Sequence, residues 1–225
     1  MNAWDTAEIP PAWNGQPLSH ENMLERINRL TAQYEFLHVT RLCETPDGQI
    51  IPLLVLGSGE KSVLYFGEDE SGCGLLLRFA EEYCAAYRRA GVLYGCSLPY
   101  LYKNRLLYVV PFLPSDQNGE EARNILENTL RTEDRLRGLV GVSSGGRYLA
   151  CLPDRSIRQQ SVFRCVSAAT GLTTVKEPTG LIAHAILRCG KPSVGISTAE
   201  CSGKGFFPAY FSVREVLFRL PLVLT

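Results

Sequence analysis

Ser62-Val63-Leu64-Tyr65-Phe66-Gly67 is a run that is apolar at its centre and closed by glycine, and the polar loop Glu68-Asp69-Glu70-Ser71-Gly72 follows at once. A short apolar run bounded by turn residues reads as a strand buried on both faces. Past the loop, residues 75–90 place Leu76, Phe79, Ala80, Tyr83 and Tyr87 on one face of a helix. Strand, loop and helix in that order form the unit of a layered α/β fold. Two more runs of the same buried character follow at 105–111 and 138–142.

Working back from that unit, 36–43 and 49–56 are strand-like, and Thr45-Pro46-Asp47-Gly48 between them is a tight hairpin turn. Ser19 caps a helix whose apolar positions are Met23, Leu24, Ile27, Leu30 and Tyr34. Working forward, an exposed helix starts at Glu120 and carries Ile125, Leu126 and Leu130. Residues 146–151 read as a strand, and 157–170 as a helix that Gly171 ends. Further strands are expected at 181–188 and 192–198. Ser212-Val213-Arg214-Glu215 is a capping-box pattern that opens a last helix, and Pro221 is expected to stop it. Residues 19–225 are therefore expected to form one α/β domain: a mixed, mostly buried sheet with helices on both faces. Residues 1–18, with Pro10, Pro11 and Pro17, read as an arm. Its Trp4 and Trp13 would pack on the body or on a partner chain.

Composition narrows the function classes. The chain has 225 residues, 45% of them apolar and 20% charged, which is a globular balance. Lys plus Arg and Asp plus Glu are 23 each, so the net charge is zero and a general nucleic-acid binder is not expected. No apolar run reaches the roughly 18 residues of a membrane span. Met1 to Gln16 lacks the basic start and apolar run of a secretion signal, so a cytoplasmic protein is expected. The eight cysteines contain no Cys-x-x-Cys pair and are expected to be reduced.

The order of elements resembles the zinc carboxypeptidase family, including its bacterial branch that cuts peptidoglycan stem peptides. The resemblance rests on Leu53-Leu54-Val55-Leu56-Gly57, the run 62–67, the helix containing residues 75–83, and Leu106-Leu107-Tyr108-Val109-Val110-Pro111 running on to Pro114-Ser115-Asp116-Gln117-Asn118-Gly119. The last segment is a distorted version of the family's Asn-Pro-Asp-Gly. It implies an abbreviated carboxypeptidase-like fold and, in intact members, a zinc-bound water with a Glu as general base.

This chain departs from that pattern at each functional position. The family's His-x-x-Glu falls on the loop Glu68-Asp69-Glu70-Ser71, where Asp69 or Glu70 could hold the place of the ligand Glu but no residue holds that of the His. The second His is expected after the strand 138–142, where the chain has Ser143-Ser144. The catalytic Glu is expected near Ser197, and Glu200 comes three residues later. The three histidines, His20, His38 and His184, stand alone in sequence and are read as structural. No cofactor is expected; Glu68, Asp69 and Glu70 remain the candidates for an atypical carboxylate site, which would suit Mg²⁺ or Ca²⁺.

Gly141-Val142-Ser143-Ser144-Gly145 also matches Gly-x-Ser-x-Gly, with Asp154 and His184 following in the order of a serine hydrolase. Three readings follow. The first is a metallopeptidase relic whose cleft, bounded by Glu68, Asp69, Glu70, Ser71, Ser143, Ser144, Ser197 and Glu200, binds a short peptide or a peptidoglycan fragment. The second is an active hydrolase built on Ser143 or on a carboxylate-bound metal. The third is a partner-binding or dimeric protein with a closed cleft. The sequence points to the first and leaves the oligomeric state open.

Overall fold

The computed structural model describes residues 18–113, 120–146, 148–151, 164, 166–168, 172–175, 180–181, 183–184, 191–198 and 206–225. The elements in chain order are α1 (His20–Gln33), β1 (His38–Glu44), β2 (Ile50–Gly57), β3 (Lys61–Gly67), α2 (Glu70–Arg88), β4 (Val92–Leu93), β5 (Cys96–Ser97), α3 (Leu98–Asn104), β6 (Arg105–Val110), α4 (Glu120–Thr132), β7 (Leu136–Ser143), β8 (Tyr148–Cys151), β9 (Thr173–Val175), β10 (Ser193–Ser197) and α5 (Phe206–Val223).

Eight strands form one sheet in the order β1-β2-β6-β3-β7-β10-β8-β9. Its middle is parallel: β3 pairs with β6 and β7, and β7 pairs with β10. Tyr65 lies opposite both Val109 and Val140. The flanks are mixed, with β1, β2 and β6 antiparallel on one side and β8 antiparallel to β10 on the other. The alternation of β3 divides the core. Val63 and Tyr65 join a large cluster with α1, α2, α3 and α5, while Leu64 and Phe66 join a smaller one with Leu126 of α4. The expected mixed sheet with helices on both faces is the observed one.

Four local expectations change. First, α2 starts at Glu70 rather than at residue 75, because Asp69 caps it: Asp69 Oδ1 accepts from the Gly72 N–H at 2.6 Å. Second, residues 181, 183 and 184 are helical where a strand was expected over 181–188. A short apolar run reads alike in a buried strand and a buried helix.

Third, α5 begins at Phe206, so Ser212 lies inside it and donates to the Ala209 carbonyl at 2.7 Å. Pro221 also lies inside the helix instead of stopping it. Proline lacks the N–H that would reach back to the Leu217 carbonyl. The Tyr65 hydroxyl donates to that carbonyl instead, at 2.8 Å, and the helix continues. Fourth, the β4–β5 hairpin and α3 were not anticipated. Tyr94 and Gly95 (φ +51° and +77°) make the turn, and the Ser97 side chain caps α3 on the Tyr100 N–H.

Residues 1–17 of the N-terminal arm, Pro114 to Gly119, Asp154, most of 157–170 and Glu200 lie outside the described residues, and Leu18 is buried in the core. Among the described residues, no helix is long and apolar enough to cross a membrane.

Candidate functional site

In an open sheet with a parallel centre, ligands bind beyond the carboxyl ends of the strands. Here β3, β7 and β10 end side by side at Gly67, Ser143 and Ser197. Two glycines let the chain close tightly behind them. A Cβ at Gly67 would come 2.2 Å from the Pro111 carbonyl oxygen, and one at Gly72 would come 2.2 Å from that of Val142. The first turn of α2 therefore rests directly against the end of β7.

Asp69 joins these ends. Its Oδ1 takes the Gly72 N–H, and its Oδ2 takes both the Ser144 N–H (2.6 Å) and the Ser144 hydroxyl (3.0 Å). One carboxylate thus caps α2 and ties the loop after β3 to the loop after β7. Backbone bonds add to the tie: Glu68 N–H donates to Val142 O at 3.0 Å, and Thr198 N–H donates to Ser143 O at 3.0 Å. The Ser197 hydroxyl donates to Ser144 O at 3.4 Å.

The structure brings together most of the residues expected around the cleft. Glu68 is half-buried, and a Cβ at Gly180 would stand 3.3 Å from its Oε2. Glu70 is exposed in the first turn of α2, where its charge suits the positive end of the helix dipole. Ser71 and Ser144 are half-buried. Ser143 is 5% exposed and Ser197 0%. Thr198, buried beside them, and Gly72 were not singled out in the sequence. Asp69 three residues before a glycine, ahead of an apolar helix, was a legible cap signal.

The chemistry available to this arrangement is limited. Ser143 ends a strand and leads through Gly145 (φ +90°) into strand β8. A nucleophile elbow needs a helix after the serine. His184 Nε2 pairs with Glu127 Oε1 at 2.9 Å. His20 opens α1 and His38 opens β1. Cys73 donates its N–H to Asp69 O at 2.9 Å, and burial pushes its thiol well up, with Arg26 opposing the shift. Among the described residues, no group of three His, Cys, Asp or Glu side chains could hold a metal ion. Zinc as implied by the resemblance does not fit this donor set: the site offers carboxylates and hydroxyls, and both Asp69 oxygens already accept hydrogen bonds.

No protein-family model matches the sequence, and no curated protein does. Solved structures match the architecture. A metallo-carboxypeptidase from Burkholderia cenocepacia superposes with a TM-score of 0.69 at 12% identity, covering 92% of this chain and 69% of the other. Thrombin-activatable fibrinolysis inhibitor gives 0.69 at 11%, covering 95% and 75%. Carboxypeptidase A from Helicoverpa armigera gives 0.70 at 8%, covering 92% and 73%. The fold is that of the metallo-carboxypeptidases. At these identities the likeness is one of fold, and activity is a separate question.

Proposed function

We propose that this chain is a carboxypeptidase-like protein without metallopeptidase activity, whose cleft beyond β3, β7 and β10 binds a short peptide or a peptidoglycan fragment. The observation that carries the reading is the double use of the Asp69 carboxylate. Hydrolysis of a peptide by this fold needs an ion to activate water. At the loop where the resemblance expects the first ligands, the chain has a carboxylate committed to Gly72 and Ser144. Hydrogen bonds here join the two strand ends from which the family presents its ligands. The free thiols Cys73, Cys84 and Cys96, all buried, suit a reducing cytoplasmic setting.

The test has two arms. Protein refolded with equimolar zinc, desalted and measured by elemental mass spectrometry is expected to retain far less than one zinc per chain. It is also expected to release no product from a synthetic stem peptide. Stoichiometric zinc with hydrolysis would overturn the loss of activity. In the second arm, the same stem peptide is titrated into labelled protein. The amide resonances of Ser144 and Thr198 should shift saturably; unmoved resonances at millimolar peptide would remove the binding half of the reading.

A further inference from the structure

Arg26 of α1 meets Arg78 and Glu81 of α2 in the seam between the two helices. One oxygen of the Glu81 carboxylate, Oε2, accepts from Arg26 Nη2 at 3.2 Å and from Arg78 Nη1 at 2.9 Å. The Arg26, Arg78 and Glu81 side chains are 7%, 12% and 8% exposed, so all three are largely removed from water. Apolar residues frame them. Met23 and Leu30 lie one turn to either side of Arg26, and Leu77 and Cys84 one turn to either side of Glu81; all four are buried. Gly74 shares the α2 face of Arg78 and Glu81, is buried, and adds no side chain there.

Two guanidiniums and one carboxylate leave one positive charge over. The groups whose charge acts on Arg26 are Glu81, Arg78 and Cys73. Cys73 supplies no negative charge, because burial pushes its thiol well up and it keeps its proton. Glu82, the next residue of α2, is engaged elsewhere: its oxygens take the hydroxyls of Tyr210 at 2.5 Å and Tyr94 at 3.2 Å. Donors are in surplus as well as charge. Arg26 Nε and Nη1 and Arg78 Nε find no acceptor among the described residues, although all three atoms are buried. Leaving a buried charged donor unmet is costly, and a water or an ion is the ordinary way it is met. A water would satisfy donors and leave the charge; a single negative ion answers both.

We infer that the seam between α1 and α2 binds one small monovalent anion, a halide or a carboxylate the size of formate, against the guanidiniums of Arg26 and Arg78. The anion completes a neutral cluster with two charges of each sign and fastens α1 to α2. Enclosure by packed side chains sets its size, and the single surplus charge sets its valence. This site is separate from the cleft beyond β3, β7 and β10, and the inference stands whether or not that cleft binds a peptide.

The test melts the full chain in sodium gluconate, whose anion is too bulky for the seam. Chloride or formate then replaces gluconate at fixed ionic strength, so that screening stays constant. The melting temperature should rise saturably with at least one of them, by about 3 °C or more at saturation. The anion that acts at the lower concentration tells a halide site from a carboxylate site. Arg26→Met, which removes the surplus charge and fills the volume, should abolish the rise. Arg29→Met should keep it, since Arg29 is exposed on α1 and pairs with Glu25. Circular dichroism checks that each variant is folded, and Arg78→Met replaces Arg26→Met if that one is not. A melting temperature indifferent to both anions overturns the inference and assigns the counter-charge to a carboxylate of the chain itself. An equal rise in Arg26→Met overturns it as well.

Discussion

Asp69 shows how one side chain can be both a helix cap and a cross-strand tie. Removing it should cost the cap and the two bonds from Ser144, together about 3 kcal/mol. Asp69→Ala should therefore lower the urea midpoint at an unchanged m-value, and Ser144→Ala should do so by a smaller amount. A second residue-level contrast lies between α1 and α2. Glu81 is buried with two guanidiniums, at 3.2 Å from Arg26 and 2.9 Å from Arg78. Arg26 Nε and Nη1 and Arg78 Nε are buried with no acceptor among the described residues. Burial pulls Arg26 below its ordinary value while Glu81 pulls it back up. One carboxylate thus serves two cations. Glu81→Ala should destabilise by roughly 3–5 kcal/mol, whereas Arg26→Met, which removes the surplus charge and fills the volume, should be close to neutral. Equal losses in chemical denaturation would contradict that account.

At the scale of elements, what the sequence made legible was periodicity. The continuous apolar run of β3 and the apolar stripe of α2 name the sheet and the helix on it without help. The misreadings occur where a distant partner decides. Nothing near Pro221 shows that the Tyr65 hydroxyl will take over the Leu217 carbonyl. Residues 181–188 are apolar without a distinguishing period, so strand and helix were equally written there. The loop after β3 lies against the end of β7, and the partner of Asp69 was not legible, since Ser144 follows another strand. The Tyr65 bond can be tested by a double-mutant cycle. Tyr65→Phe leaves a buried carbonyl unpaired and should cost about 1–3 kcal/mol. Pro221→Ala in that background restores an N–H donor and should recover part of the loss, so the two changes will not be additive.

For the molecule as a whole, the buried protonated groups set its response to alkali. Burial pushes the Cys84 thiol from 9.0 up to about 12. Burial, together with the bond to Glu133, pushes the Tyr108 hydroxyl from 10.0 up to about 12. Each group holds its proton more tightly folded than unfolded. Their contribution is therefore complete below the unfolded value and is lost as the pH rises from 9.0 toward about 12. Melting temperature should fall across that window, and Tyr108→Phe should flatten the part above pH 10.0, the ordinary tyrosine value. An unchanged slope in that variant would contradict the assignment. The apolar core around β3 thus adjoins one buried charged cluster, Glu81 with Arg26 and Arg78, between α1 and α2.

The bond from Tyr65 to Leu217 also links two positions in descent. A hydroxyl at 65 lowers the cost of a proline at 221. Relatives of this chain that carry Phe at 65 are therefore expected to carry a residue with an N–H at 221, and the two columns should change together although nothing local connects them.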